Sequence, residues 1–225
     1  FRLLEESEES LGWRSLKSFH FSGGCSELNV LAAELLAQDN PYDGPADPLS
    51  LSKRAKSRYL LIDSRVRAGE FVSGKIELYR QSAALLSQAL AEMKDAQALV
   101  SAKGRPHLAY LSNKTEAYIA HLEMVAFVAE GIAAYADAFL EHARDEAALA
   151  SALESAAQIL TKAQQKAREA ARIFSQKIDH PSDLAILFLA NVYNIQKADR
   201  ITELVRRVAN YHQGKSYWPE EGGVP

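Results

Sequence analysis

The chain has 225 residues, 48% of them hydrophobic and 24% charged, and a formal net charge of −3 from 26 Lys and Arg against 29 Asp and Glu. Such a composition supports a buried core without metals or disulfides and lies far from the signature of disorder. The charge balance excludes a global basic footprint for nucleic acid or an anionic membrane, and the single cysteine, Cys25, excludes an internal disulfide, a thiolate zinc site and a dithiol redox motif.

The chain opens at Phe1 without Met and closes on Gly222-Gly223-Val224-Pro225, so both ends look cut, as expected of a piece or processed form of a longer protein. Phe1 to Ser10 suits a short acidic helix. Alternation from Ser15 to Phe21 predicts one short strand, stopped by Gly23-Gly24. Ser26 then caps a helix from Glu27 to about Gln38, whose Leu28, Leu31, Leu35 and Leu36 share a face. A lone strand makes no sheet; it either packs on the helices or has its neighbours upstream. Asp39 to Pro48 holds three prolines and a glycine, which forbid regular structure. This loop divides a mixed segment, residues 1–48, from a helical region, residues 49–225, that begins with a helix from about Leu51 to Val66.

From Gly74 onward the apolar residues step by threes and fours. Ile76, Tyr79, Ala83, Leu86, Leu90 and Met93 form the first stripe, and Leu122, Val125, Ala129, Ile132, Ala136 and Phe139 belong to the second. Leu149, Leu153, Ala156, Leu160, Ala163 and Ala167 lie on the third. The fourth runs through Leu184, Leu187, Asn191, Asn194, Ala198, Ile201, Val205 and Val208. Breaks at Lys103-Gly104-Arg105-Pro106, Arg144-Asp145 and Asp179-His180-Pro181 separate four long helices at about 72–102, 107–143, 146–177 and 182–212. Short connections make neighbours antiparallel. The expected fold is all-α: an elongated up-down bundle of four long helices, preceded by the short mixed strand and helix segment. The most apolar run, Met124 to Leu140, is interrupted by Glu130 and Asp137, and a span needs about 20 mostly apolar residues, so a buried helix rather than a membrane span is expected.

Chemical constellations are sparse. A di-iron bundle needs Glu three residues before His, and none of the six histidines has one; no metal site and no cofactor is expected, and the histidines read as helix surface or bundle edge. Glu116, Glu123 and Glu130 recur every seven residues, a spacing that suits either a solvated edge or paired acid–base carboxylates. Asp39 to Ser50 echoes a calcium loop but lacks its third-position ligand and its terminal Glu. Asn113-Lys114-Thr115 fits a glycosylation sequon within a predicted helix, where it is discounted. Six Lys and Arg between Lys53 and Arg67 face one acid, Asp63; without interleaved aromatics they suggest a solvated helix or an acidic partner, not nucleic acid. Asn191 and Asn194 on an inward stripe either pair to fix register or face something polar. Trp13 and Trp218 lie outside the long helices, where they either pack on bundle ends or stack on a sugar ring.

The run Ser26 to Tyr42, Ser-Glu-Leu-Asn-Val-Leu-Ala-Ala-Glu-Leu-Leu-Ala-Gln-Asp-Asn-Pro-Tyr, resembles the junction after the last barrel strand in large glycoside hydrolases, which a long helical C-terminal region follows. The Leu/Ala-rich stretch His121 to Leu140 and the late helix Asn191 to Tyr211 are similar in layout to that region. The resemblance implies a non-catalytic accessory helical domain, secreted or periplasmic, whose partner is the upstream catalytic domain of the same chain. It carries no catalytic residue onto this sequence. It places His20 and Glu27 near an active-site rim, since barrel sites lie at strand C-termini, and adds Trp13 and Trp218 as candidate carbohydrate contacts. The alternative is a self-contained helical interaction module, such as a homodimer, which requires an exposed apolar strip on a long helix.

Overall fold

The structure, a computed structural model, describes residues 68–216, with side chains from Ile76 onward. These residues are all-α, with no strand among them. Helix α1 spans Ala68–Ala96, α2 Arg105–His142, α3 Glu146–Ser175 and α4 Pro181–Leu189; a π-helical segment, Ala190–Ile195, joins α4 to α5, Gln196–His212. The fourth rod read from the sequence is thus one helix with a wide turn inside it. The mixed segment, the 51–66 helix and the division at residue 48 lie outside the described residues.

Local chemistry sets the ends. Helix α1 stops at Ala96, short of the expected 102, in turn bonds from the Leu99 and Val100 amides to the Ala96 carbonyl. The glycine and proline at 104 and 106 therefore mark the start of α2, where proline's missing N–H costs nothing. Asp145 caps α3, its Oδ1 accepting the Ala148 amide at 3.1 Å. Pro181 opens α4, as the sequence indicates.

The described helices divide into two compact units. In the first, residues 75–126 with 163–196, α2 and α3 run antiparallel: Asn113 Nδ2 donates to the Ile173 carbonyl at 2.7 Å, and ten residues on Glu123 meets Lys166 at 2.8 Å. Ala117, Ala120, Ala170, Ile173 and Phe174 form a core against which Ile178, Ile186 and Leu187 of the next segment pack. Alanine at the seam lets the two backbones approach closely.

The second unit holds residues 127–162 and 197–216. Its interior is built on Tyr135, Ile132, Leu153, Leu160, Ile201 and Leu204, all fully buried. Thr202 Oγ1, also buried, donates to the Ala198 carbonyl at 2.7 Å and lies 3.3 Å from the Leu160 carbonyl. Across both units the seams hold: Leu122, Leu160 and Val205 each have 0% exposure.

At Gly131, α2 and α3 are in close approach, for a methyl group there would sit 2.5 Å from Leu160 Cγ. Leu160 has no free space to yield. Gly131→Ala should therefore destabilise by about 1–3 kcal/mol, despite the helix propensity that alanine adds. Urea unfolding of Gly131→Ala, Leu160→Ala and the pair checks this: the double variant should cost less than the sum of the two singles.

Candidate functional site

The α4 region and its wide turn concentrate the polar groups that the first unit buries. Asp183, third residue of α4, is 2% exposed. Its Oδ2 accepts the backbone amides of Asp179 (3.0 Å) and His180 (3.2 Å), capping α4, and its Oδ1 accepts the Tyr110 hydroxyl at 2.9 Å. Lys114 Nζ stands 3.7 Å from Oδ2. The same ammonium donates to the Lys177 carbonyl at 2.6 Å and the Phe174 carbonyl at 3.3 Å, and lies 3.4 Å over the Phe174 ring. One lysine thus satisfies the carbonyl end of α3 while its charge balances the acid that opens α4.

The electrostatics follow. Burial alone would raise the Asp183 carboxyl; the Asp179 amide, the Tyr110 hydroxyl, the His180 amide and Lys114 together outweigh it and hold the group below its ordinary value. Burial lowers the Lys114 ammonium against the pull of Asp183. Burial, then the hydrogen bond to Asp183, raises the Tyr110 hydroxyl.

Eleven residues beyond Asp183, Asn194 is also buried, its Nδ2 lying 3.3 Å from His121 Nδ1. The geometry makes the amide the donor and Nδ1 the acceptor, so the neutral imidazole carries its proton on Nε2. Tyr118 stacks one turn before His121, with ring centroids 6.1 Å apart. Burial drives the His121 pKa from 6.5 down to about 4.

Asn194 sits in the π segment. Its wide turn is recorded by the Gln196 amide, which donates to the Asn191 carbonyl five residues back. Two members of the expected stripe are corrected: Leu184 is 58% exposed and Asn191 is also exposed, while Leu187 packs on the core as expected and Asp183 and Ala190 are buried. The observed inward line, Asp183, Leu187, Ala190, Asn194 and Ala198, also steps by threes and fours; it differs from the expected one where the bonds to Asp183 turn that residue inward in place of Leu184. Leu184, Phe188 (66% exposed) and Tyr193 (43%) are left on the outside.

The other sequence candidates divide cleanly. His20, Glu27, Trp13 and Trp218 lie outside the described residues, as do Cys25, the Asp39–Ser50 loop and the basic segment. Glu116 is exposed, and Glu123 pairs with Lys166, which also meets Glu169 at 2.8 Å; this is the solvated-edge reading of the acidic repeat. The Asn113 amide is engaged with the Ile173 carbonyl, in keeping with its discounted sequon. His121 is a correction, since a surface position was expected of the histidines and its exposure is 0%. The signal for it was present: His121 follows the buried Ala117 by four residues and immediately precedes Leu122 of the apolar stripe. Among the described residues no group of three or more His, Cys, Asp or Glu gathers in metal-binding geometry.

In the second unit a groove of about 730 Å³ is lined by residues including Glu146, Ser151, Glu154, Gln158 and His212, with His212 Nδ1 2.8 Å from Glu146 Oε1. It is shallow and open, and no buried unpaired group aims into it. One helix, α2, is long and apolar enough to cross a membrane by length and composition alone, but 61% of its most apolar window is buried in the fold, as in a core helix. No family model, no curated protein and no solved structure matches the chain.

Two outcomes test this chemistry. His121 binds a proton more weakly folded than unfolded, so the stability it contributes is complete above 6.5 and is lost as pH falls from there toward about 4. Between pH 7 and pH 5 that loss is about 2 kcal/mol, to be read by urea unfolding and absent from His121→Gln. Asp183→Ala orphans two amides, a phenol and a lysine, and should cost about 2–4 kcal/mol at neutral pH, measured the same way.

Proposed function

We propose that the chain is a non-catalytic helical docking domain that holds another protein surface on Leu184, Phe188 and Tyr193. The observation that carries this reading is the exposure of two large apolar side chains one turn apart on a helix whose one charged residue, Asp183, is buried. Interior Asp183, Lys114, Tyr110 and His121 are engaged in hydrogen bonds that cap and join helices. Those bonds give these groups a structural role. An exposed leucine and phenylalanine at i and i+4 form the kind of apolar strip that marks a contact surface.

The occupant to which we commit is the upstream catalytic domain of the same polypeptide. The resemblance of Ser26 to Tyr42 to the post-barrel junction of glycoside hydrolases supports that choice, and with it an accessory role in a carbohydrate-active enzyme. Two experiments test the proposal. The 225-residue chain alone should turn over no member of a panel of aryl glycosides, and clear turnover would remove the non-catalytic reading. The domain encoded immediately upstream, produced as a separate chain, should bind the 225-residue chain in calorimetry, and Leu184→Glu/Phe188→Glu should abolish binding while changing stability by less than about 0.5 kcal/mol. Absence of a barrel domain upstream, or undiminished binding by the double variant, sinks the commitment. A dimer in sedimentation that the same variant dissociates would instead assign the row to a second copy.

A further inference from the structure

We infer that the turn between α1 and α2 is a membrane-contact tip, which sets Leu99 into the surface of an anionic lipid bilayer with Lys103 and Arg105 against the headgroups. The inference is independent of the docking row on α4.

Three observations carry it. The first is an apolar turn. Ser112 Oγ lies 3.8 Å from Met93 Sδ and joins the end of α1 to the start of α2, and residues 97–104 connect the two helices beyond that joint. Leu99 stands there at 88% exposure, the highest of any large apolar side chain among the described residues, and Ala98 and Ala102 are exposed beside it. Turns ordinarily draw on Gly, Pro, Asn, Asp and Ser. The run Ala96-Gln97-Ala98-Leu99-Val100-Ser101-Ala102 holds five apolar residues and one residue of those types. A lone leucine on a surface needs no explanation, but an apolar turn does.

The second is that the turn is braced. The Gly104 and Arg105 amides donate to the Ser101 carbonyl at 2.9 and 3.1 Å, and Arg105 Nε donates to the Val100 carbonyl at 3.3 Å. Val100 packs on Gly104, where a methyl group would sit 2.6 Å from its Cγ1. Leu99 is thus held outward by a formed turn, and inserting it orders little further backbone.

The third is charge. From Ala96 to Thr115 the chain carries Lys103, Arg105 and Lys114 and no acid. Lys114 is engaged with Asp183, whereas Lys103 and Arg105 are exposed. The acids of α1, Glu92 and Asp95, lie behind the tip with Lys94 between them, and in the α3–α4 turn Lys177 stands 3.8 Å from Asp179. The tip is therefore locally positive in a chain whose net charge is −3, and its attraction for anions acts over about 10 Å or less.

Size selects the occupant. A specific protein interface buries about 1,200–2,000 Å², of which one turn supplies a small part. A fluid bilayer accommodates a convex tip and combines burial of its apolar side chains with attraction of its basic ones. One leucine and two cations give a marginal, reversible contact that orients a protein at a membrane without anchoring it.

Co-sedimentation of the 225-residue chain with excess phosphatidylcholine vesicles, with and without phosphatidylglycerol, tests this at low ionic strength. The chain should bind the anionic vesicles and not the neutral ones, and added salt should weaken binding. Leu99→Ser should lower the partition coefficient by about tenfold or more, and so should Lys103→Glu, which leaves the Arg105 brace in place. Both sites are exposed, so each variant should keep its helical circular dichroism. Leu184→Glu/Phe188→Glu should leave vesicle binding unchanged, which separates this contact from the docking row. Failure to bind anionic vesicles, equal binding to neutral ones, or binding that survives Leu99→Ser overturns the inference, as does binding that only the Leu184/Phe188 variant removes.

Discussion

The fold of the α4 region depends on one constraint: two polar side chains, Asp183 and Asn194, are buried on a single helix at positions that also have to admit an apolar seam. A buried carboxylate is tolerable only when its lone pairs are filled and its charge is balanced. Asp183 meets that condition by taking two amides at its own helix start, the Tyr110 hydroxyl and the neighbouring Lys114 ammonium. Lys114 in turn is held by the carbonyls that end α3. The turn between α3 and α4 is thereby fixed through side chains of α2, and the direction in which α4 leaves is set before any of its apolar residues pack.

Asn194 supplies the second fixed point. A buried amide with no acceptor would be costly, and the imidazole of His121 provides one only while it stays neutral. The two residues therefore constrain each other: the amide needs an unprotonated Nδ1, and the buried ring resists protonation. Eleven residues apart, Asp183 and Asn194 fall on nearly the same side of the helix, so both clamps can face inward together, and the π segment lies between them.

The all-α class and the four seams were legible because leucine and alanine at alternating threes and fours leave little choice of secondary structure. Leu153, Leu160 and Val205 lie where the spacing puts them. Helix starts at Pro106, Asp145 and Pro181 were legible for the same reason, since proline and a short acid have few other uses there. The C-terminus of α1 was not, because residues 97–102 carry ordinary helix formers and the chain leaves the helix at Ala96 before any breaker. The rotation of α4 was hidden as well. Its inward face is set by partners seventy-three residues away in sequence, Tyr110 for Asp183 and His121 for Asn194, and no local propensity records them. His121 looked like a surface residue because histidine usually is one; its neighbours Ala117 and Leu122 were the better guide.

The same hidden partners bear on function. A helix that buries its acid and its amide while exposing leucine and phenylalanine inverts the usual assignment of residues to faces. That inversion is tolerable because the carboxylate of Asp183 and the amide of Asn194 both find hydrogen-bond partners inside. It also exposes apolar area that contributes nothing to the fold of the unit that displays it. A partner covering Leu184 and Phe188, as proposed, would remove that area from water and leave the buried bonds of Asp183 and Asn194 untouched, so fold and docking would draw on opposite sides of the same helix.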